Sequence, residues 1–174
     1  MSHHILVGPQ ALSQFRVDNL VKSINEYSNS TSIIKAVRSC YVHYVDAKEP
    51  ALSPKDKELL EALLTYDSPL NTKDDHLSRL LVDAVVNNVD DPVLEEDTYL
   101  VRITQRSGTI SPWSSKATNI IEVCGLDSKI NRVERGLALV IKVIPGFPQL
   151  ENLNEVSLKT VFDRMTQEMH LHSA

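Results

Sequence analysis

The chain has 174 residues, 42% of them apolar and 24% charged, with a formal net charge of −5. That length suits one domain with an elaboration, and that composition can bury a sizeable core. It excludes a disulfide scaffold, with two cysteines and no CxxC spacing, and a nucleic-acid binder, with aromatics at 5% and an acidic balance. No stretch approaches the roughly 18 to 20 apolar residues of a membrane-spanning helix. The opening "MSHHILVGPQ" lacks the charged start and long apolar run of a secretory signal, so the chain reads as cytosolic.

"HHILVG" reads as a first strand, closed by Gly8-Pro9. From Gln10 to about Tyr27, Leu12, Phe15, Val17, Leu20, Val21 and Ile24 fall at helical spacing. "NSTS" at 29–32 has loop chemistry, and "VRSCYVHYV" at 37–45 has the β-branched and aromatic content of a strand. Ser53-Pro54 opens a second helix, with Ser as cap, Pro at the first helical position and Asp56 three residues on. Leu59, Leu60, Leu63 and Leu64 make its apolar stripe.

Residues 67–97 are acidic and read as a surface elaboration with a helix carrying Leu77, Leu80, Leu81, Val82 and Val85. "DTYLVRIT" at 97–104 alternates as a strand. Then comes "SGTISPWSSKAT" at 107–118, which holds the only Trp and six hydroxyl residues. Ser114 or Ser115 is expected to cap the helix that follows, and Gly125 to end it. "NRVERGLALVIKVI" at 131–144 is the next strand, with Gly136 as a bulge or a point of close approach, and "PGFP" stops it. The spacing of Val156, Val161, Phe162, Met165 and Met169 predicts a last helix over 153–170. The expected fold is α/β (an α+β sandwich): two β-α-β units in a sheet of four or more strands, helices packed on one face, plus the helical insert.

Charge is unevenly spread. The 46–98 region is strongly acidic, whereas 101–145 carries Arg102, Arg106, Lys116, Lys129, Arg132, Arg135 and Lys142 against three acidic residues. That basic face offers an alternative function, capture of a phosphorylated metabolite. The five glycines form neither GxxxxGK[ST] nor GxGxxG, and no GxSxG or GxCxG elbow occurs. The 107–118 loop feeds a helix N-terminus and so has the donors to hold a phosphate, although capping and packing are its plainer use. Cys40 and Cys124 read as buried free thiols. His170 and His172 have ligand-like spacing without a third partner, so no metal site is expected, and His43 and His76 read as structural or solvated. Trp113 follows a proline among small polar residues, the setting of an interface anchor or of a ring folded back on its own domain.

"SGTISPWSSKATNIIEVCGL" followed by "NRVERG" resembles the N-terminal part of the phosphoribosylformylglycinamidine synthase family (FGAM synthase, or FGAR amidotransferase), in its large single-chain form. "ILVGPQALSQFRVDNL", "CYVHYVDA" and "FDRMT" fit the same family in the same order. The resemblance implies a purine-biosynthesis ligase that uses ATP, Mg²⁺ and glutamine. It implies that this region, similar to a fused pair of PurS subunits, is a non-catalytic structural and interaction domain. Residues 1–150 would form the PurS-like domain and 151–174 the start of a linker, so the chain reads as an excised N-terminal piece with no catalytic, cofactor-binding or metal residue of its own. Its partners would be the synthetase and glutaminase domains of the same polypeptide, with no nucleic acid and no membrane, and self-association of the isolated piece stays open. The docking candidates are Gly108, Thr109, Ser111, Trp113, Ser114, Ser115, Lys116 and Thr118, with Asn131, Arg132, Glu134, Arg135 and Gly136 on the following strand.

Overall fold

The computed structural model describes residues 2–28, 33–48, 52–87, 91–145 and 157–173. In chain order its elements are β1 (Ser2–Gln10), α1 (Gln14–Ser28), β2 (Ile34–Ala47), α2 (Pro54–Leu63), α3 (His76–Val86), β3 (Thr98–Gln105), α4 (Pro112–Ile121), β4 (Ile130–Val143) and β5 (Gln167–Ser173). The strands form one antiparallel sheet in the order β1-β2-β4-β3-β5. Two β-α-β units, β1-α1-β2 and β3-α4-β4, thus lie side by side, with the 14-residue strands β2 and β4 paired at the centre.

Side chains alternate between faces along a strand, and the register assigns each to a layer. Val37, Ser39, Tyr41, His43 and Val45 of β2 oppose Ile141, Leu139, Leu137, Arg135 and Val133 of β4 on the front face. There α1 buries Leu20 and Ile24 against Val37, Leu139 and Ile141, while α2 and α4 bury Leu60, Leu64 and Ile121 against Val45 and Val133. The expected layer of helices on one face is these three. The insert helix α3 takes the opposite face, where Leu81, Ala84 and Val85 pack on Cys40, Val42, Leu100, Ala138 and Val140. The segment that reads as a surface elaboration is therefore a layer of the core.

Local chemistry accounts for most element ends. Ser53 caps α2 by accepting from the Asp56 amide at 3.1 Å, with Pro54 in the first turn. Asp75 caps α3, accepting from the Ser78 amide, and is held by the Arg38 guanidinium at 2.7 Å. β1 does not stop at Gly8-Pro9: it runs to Gln10 across a register irregularity, since Pro9 sits on an edge strand where its missing N–H costs no ladder bond. Gly136 shows no register shift and is the close approach: a Cβ there would lie 2.8 Å from the Ile103 carbonyl oxygen.

The last helix is a correction. Residues 153–156 lie outside the described residues, as do 29–32 and most of the "PGFP" stop, but 157–166 form turns and 167–173 the strand β5. The apolar spacing there reflects separate jobs. Leu158 and Phe162 plug the core beside α1, and Met169 packs against the same cluster, whereas Met165 is exposed. Asp163 organises the turn with its own side chain, accepting from the Met165 amide at 2.9 Å and the Thr166 hydroxyl at 3.1 Å, a local bonding pattern that competes with helix. The chain then pairs with the open edge of β3, from Gln167 opposite Gln105 to Ser173 opposite Tyr99.

Candidate functional site

Pairing of β3 with β4 runs only as far as Ile103 opposite Leu137. Residues 130–136 of β4 thus have β2 on one side and, among the described residues, no strand on the other. The 106–118 segment fills that edge. The Ser114 hydroxyl, fully buried, donates to the Val133 carbonyl at 2.6 Å, and the Val133 amide donates to the Thr118 hydroxyl at 3.3 Å. Two side chains on one helix face replace the missing ladder bonds that a buried strand edge must otherwise find.

The cap of α4 is Ser111, one turn before the expected Ser114 or Ser115, and it accepts from the Ser114 amide at 3.0 Å. Ser111-Pro112 repeats the Ser53-Pro54 signal, which was there to be read. The Ser111 hydroxyl donates to Glu134 at 2.5 Å and its amide to the same carboxylate at 3.3 Å. Arg132 donates to Glu134 at 2.6 Å, to the Thr109 carbonyl at 3.1 Å and to the Ser114 hydroxyl at 3.2 Å. Burial alone would raise the Glu134 pKa, but donation from Ser111, the Arg135 amide and Arg132 outweighs it and holds the carboxyl below its ordinary value. Thr109 closes the turn by donating to the Arg106 carbonyl at 2.6 Å, with Gly108 at φ +78 supplying the left-handed residue it needs.

On the front face a second cluster forms around Trp113. Its ring stacks on the fully buried His43 at 5.5 Å and 18°, and lies 6.4 Å from Tyr66. The Arg135 guanidinium sits over the rings of Tyr41 at 4.0 Å and Trp113 at 4.9 Å. Arg135 donates to the Tyr66 oxygen at 3.2 Å, and the Tyr66 hydroxyl lies 3.0 Å from His43 Nε2. Arg135 can only donate, so the Tyr66 oxygen accepts from it, while the direction of the Tyr66–His43 bond follows the imidazole tautomer; the buried His43 Nδ1 has no hydrogen-bond partner among the described residues. Burial, reinforced by the Arg135 charge, brings the His43 pKa down to about 4, so the imidazole is neutral near pH 7. Gly8 makes room for that ring, since a Cβ there would lie 2.6 Å from His43 Cε1.

Two cavities flank Trp113. One, about 290 Å³, lies between α2 and α4 and is apolar, lined by Leu63, Tyr66, Ala117 and Ile120 among others, with Lys116 at its rim. The other, about 220 Å³, is bounded by Arg16, Tyr41, Ser111, Arg135 and Gln167. A third, about 330 Å³, opens on the back face where α3 does not reach, with Tyr44, Asp46, Gly108, Arg132 and Glu134 in its wall.

The structure thus splits the sequence candidates. Thr109, Ser111, Ser114, Thr118, Arg132 and Glu134 form the inward seam, with the exposed Gly108 at its turn and Gly136 at the close approach to Ile103. Trp113 and Arg135 form the aromatic cluster. Ser115, Lys116 and Asn131 are exposed. Sequence reasoning missed Tyr41, Tyr66 and Arg16, which no local motif marks because only the packing of β2, the end of α2 and α1 around α4 brings them to Trp113. The basic stretch does not form one face: Arg102 pairs with His172, Arg106 with the Arg164 carbonyl, Lys129 with Asp56 and Lys142 with the Glu96 carbonyl.

Residues 40–174 match the family model described as formylglycinamide ribonucleotide amidotransferase N-terminal. The chain belongs to this family. It is also 63% identical over 171 residues to phosphoribosylformylglycinamidine synthase of Saccharomyces cerevisiae, an alignment covering 98% of this chain and 13% of that protein. Within this amidotransferase N-terminal domain, Cys40 is buried and its thiol pushed up to about 12 by burial, whereas Cys124 is exposed, against the expectation of two buried thiols. Gly125, at φ +91, places Cys124 outward at a π-type turn, Glu122–Leu126, that ends α4. His170 and His172 share the back face of β5, where His172 is held by Arg102 at 3.0 Å. Among the described residues no helix is long and apolar enough to cross a membrane.

Proposed function

We propose that this chain is the non-catalytic docking domain of a phosphoribosylformylglycinamidine synthase, a cytoplasmic purine-biosynthesis enzyme, and that it holds the synthetase and glutaminase regions of the same polypeptide in working register. ATP and Mg²⁺, which the family's reaction uses, are assigned to those regions. Support comes from family membership and from the site's chemistry: the loop's buried and half-buried polar groups are consumed internally, and no activated nucleophile or positioned acid–base pair forms in it. The carrying observation is Trp113, half-buried between two cavities, which gives a partner an aromatic ridge rather than a reaction centre. The basic 101–145 stretch supports metabolite capture poorly, because its cations are mostly engaged within the fold.

Trp113→Ala in the full-length enzyme tests this reading. Glutamine-dependent amidotransfer is expected to fall while ammonia-dependent turnover persists, and limited proteolysis should cut more readily after this domain. Unchanged amidotransfer together with an unchanged proteolytic pattern would refute the docking role.

A further inference from the structure

The two cavities beside Trp113 carry an unusual charge. Among the described residues their walls contain three cationic side chains, Arg16, Arg135 and Lys116, and no carboxylate, in a chain whose net charge is −5. Arg135 is committed to Tyr41, Trp113 and Tyr66. Arg16, by contrast, stands exposed on the first turns of α1, and its guanidinium has no partner among the described residues. An unpartnered arginine at a cavity that already holds a second guanidinium is poised for a carboxylate, which it can grip through two parallel N–H donors. At about 220 Å³ the cavity falls below the usual range for a small-molecule site, roughly 300 Å³ and upward, and suits one side chain.

On the other side of the Trp113 ring the neighbouring groove is apolar, walled by Leu63, Leu64, Ala117 and Ile120. Resting on the docking role proposed above, we propose the chemistry of what docks: a segment of the remaining polypeptide that sets an aliphatic side chain in the α2–α4 groove and an Asp or Glu carboxylate between Arg16 and Arg135. Trp113 is the ridge over which that segment crosses. The two features act together, since apolar burial supplies affinity while charge complementarity fixes the register and rejects segments lacking the acid.

The test measures affinity between this 174-residue chain and a second chain carrying the remainder of the enzyme. The Arg16 side chain bonds to nothing among the described residues, so its replacement leaves the domain intact, which circular dichroism checks. Arg16→Glu is expected to weaken the complex by at least about tenfold, a change of about 1.4 kcal/mol, and Arg16→Lys by about twofold. Ile120→Glu should also weaken it, and rising salt should weaken wild type more than Arg16→Ala. Wild-type affinity for Arg16→Glu, with Trp113→Ala still disruptive, would overturn the acidic segment and leave docking standing. Loss of any wild-type complex would instead remove both. Saturable calorimetric binding of inorganic phosphate, abolished by Arg16→Glu, would assign the site to a free oxyanion and overturn the proposal too.

Discussion

The two halves of the 107–118 loop make opposite use of their residues. On the Ser111–Glu134–Arg132 side, hydroxyls, carboxylate and guanidinium find one another and the unpaired backbone of β4, and the polar groups are largely spent. On the Trp113 side the bonding stops at a ring, with a cavity open on either flank. The difference teaches that the most motif-like residues of the stretch build the platform. Under the proposed docking role, the surface offered to a partner is the single aromatic residue together with groups brought in from α1, β2 and the end of α2. A seam of short polar side chains suits the first task because it satisfies a strand edge without a strand. A stacked indole suits the second because it presents a large rigid area with little conformational freedom to lose.

That contrast can be broken in graded ways. The largest expected effect lies beneath the aromatic side. The His43 pKa drops from 6.5 to about 4 through burial and the Arg135 charge, so the folded state resists protonation. Stability is full above the unfolded value, falls as pH drops from about 6.5 towards 4 by on the order of 3 kcal/mol, and then levels for this group. Denaturant titrations across that range should show the slope, and His43→Phe should flatten it. Next, Glu134→Ala removes the acceptor shared by Ser111 and Arg132 and should cost about 2–3 kcal/mol in urea unfolding. Ser111→Ala, losing the cap of α4 and one bond to Glu134, should cost about 1 kcal/mol. At the smallest end, Lys116→Ala on the exposed rim should leave stability within about 0.5 kcal/mol. If it instead destabilised as much as Ser111→Ala, the division into platform and free surface would fail.

Much of this was legible in the chain. Ser53-Pro54 marks a helix start because its geometry is local, and Gly136 marks a close approach because only a missing Cβ fits beneath Ile103. The central strands declared themselves through β-branched runs. The failures have physical causes. The 153–170 segment has apolar residues at near-helical spacing, yet Asp163 bends the chain and the free edge of β3 captures 167–173, a long-range pairing invisible to local pattern. The acidity of 67–97 suggested a surface piece, but α3 carries its charge on one side and buries Leu81, Ala84 and Val85 on the other. For the site, the sequence singled out the 107–118 stretch and Arg135, and the fold packs Trp113 of that stretch against Arg135. Their division into seam and ridge depends on the pairing of His43 with Arg135 across β2 and β4, which no spacing encodes.

The central claim is that this domain contributes docking and no chemistry. Its most direct test is reconstitution: this chain and a second chain holding the remainder of the enzyme are assayed for glutamine-dependent amidotransfer, separately and mixed. The account predicts activity in the mixture alone, rising with the concentration of this chain to a plateau. Full activity of the second chain without this one would contradict it.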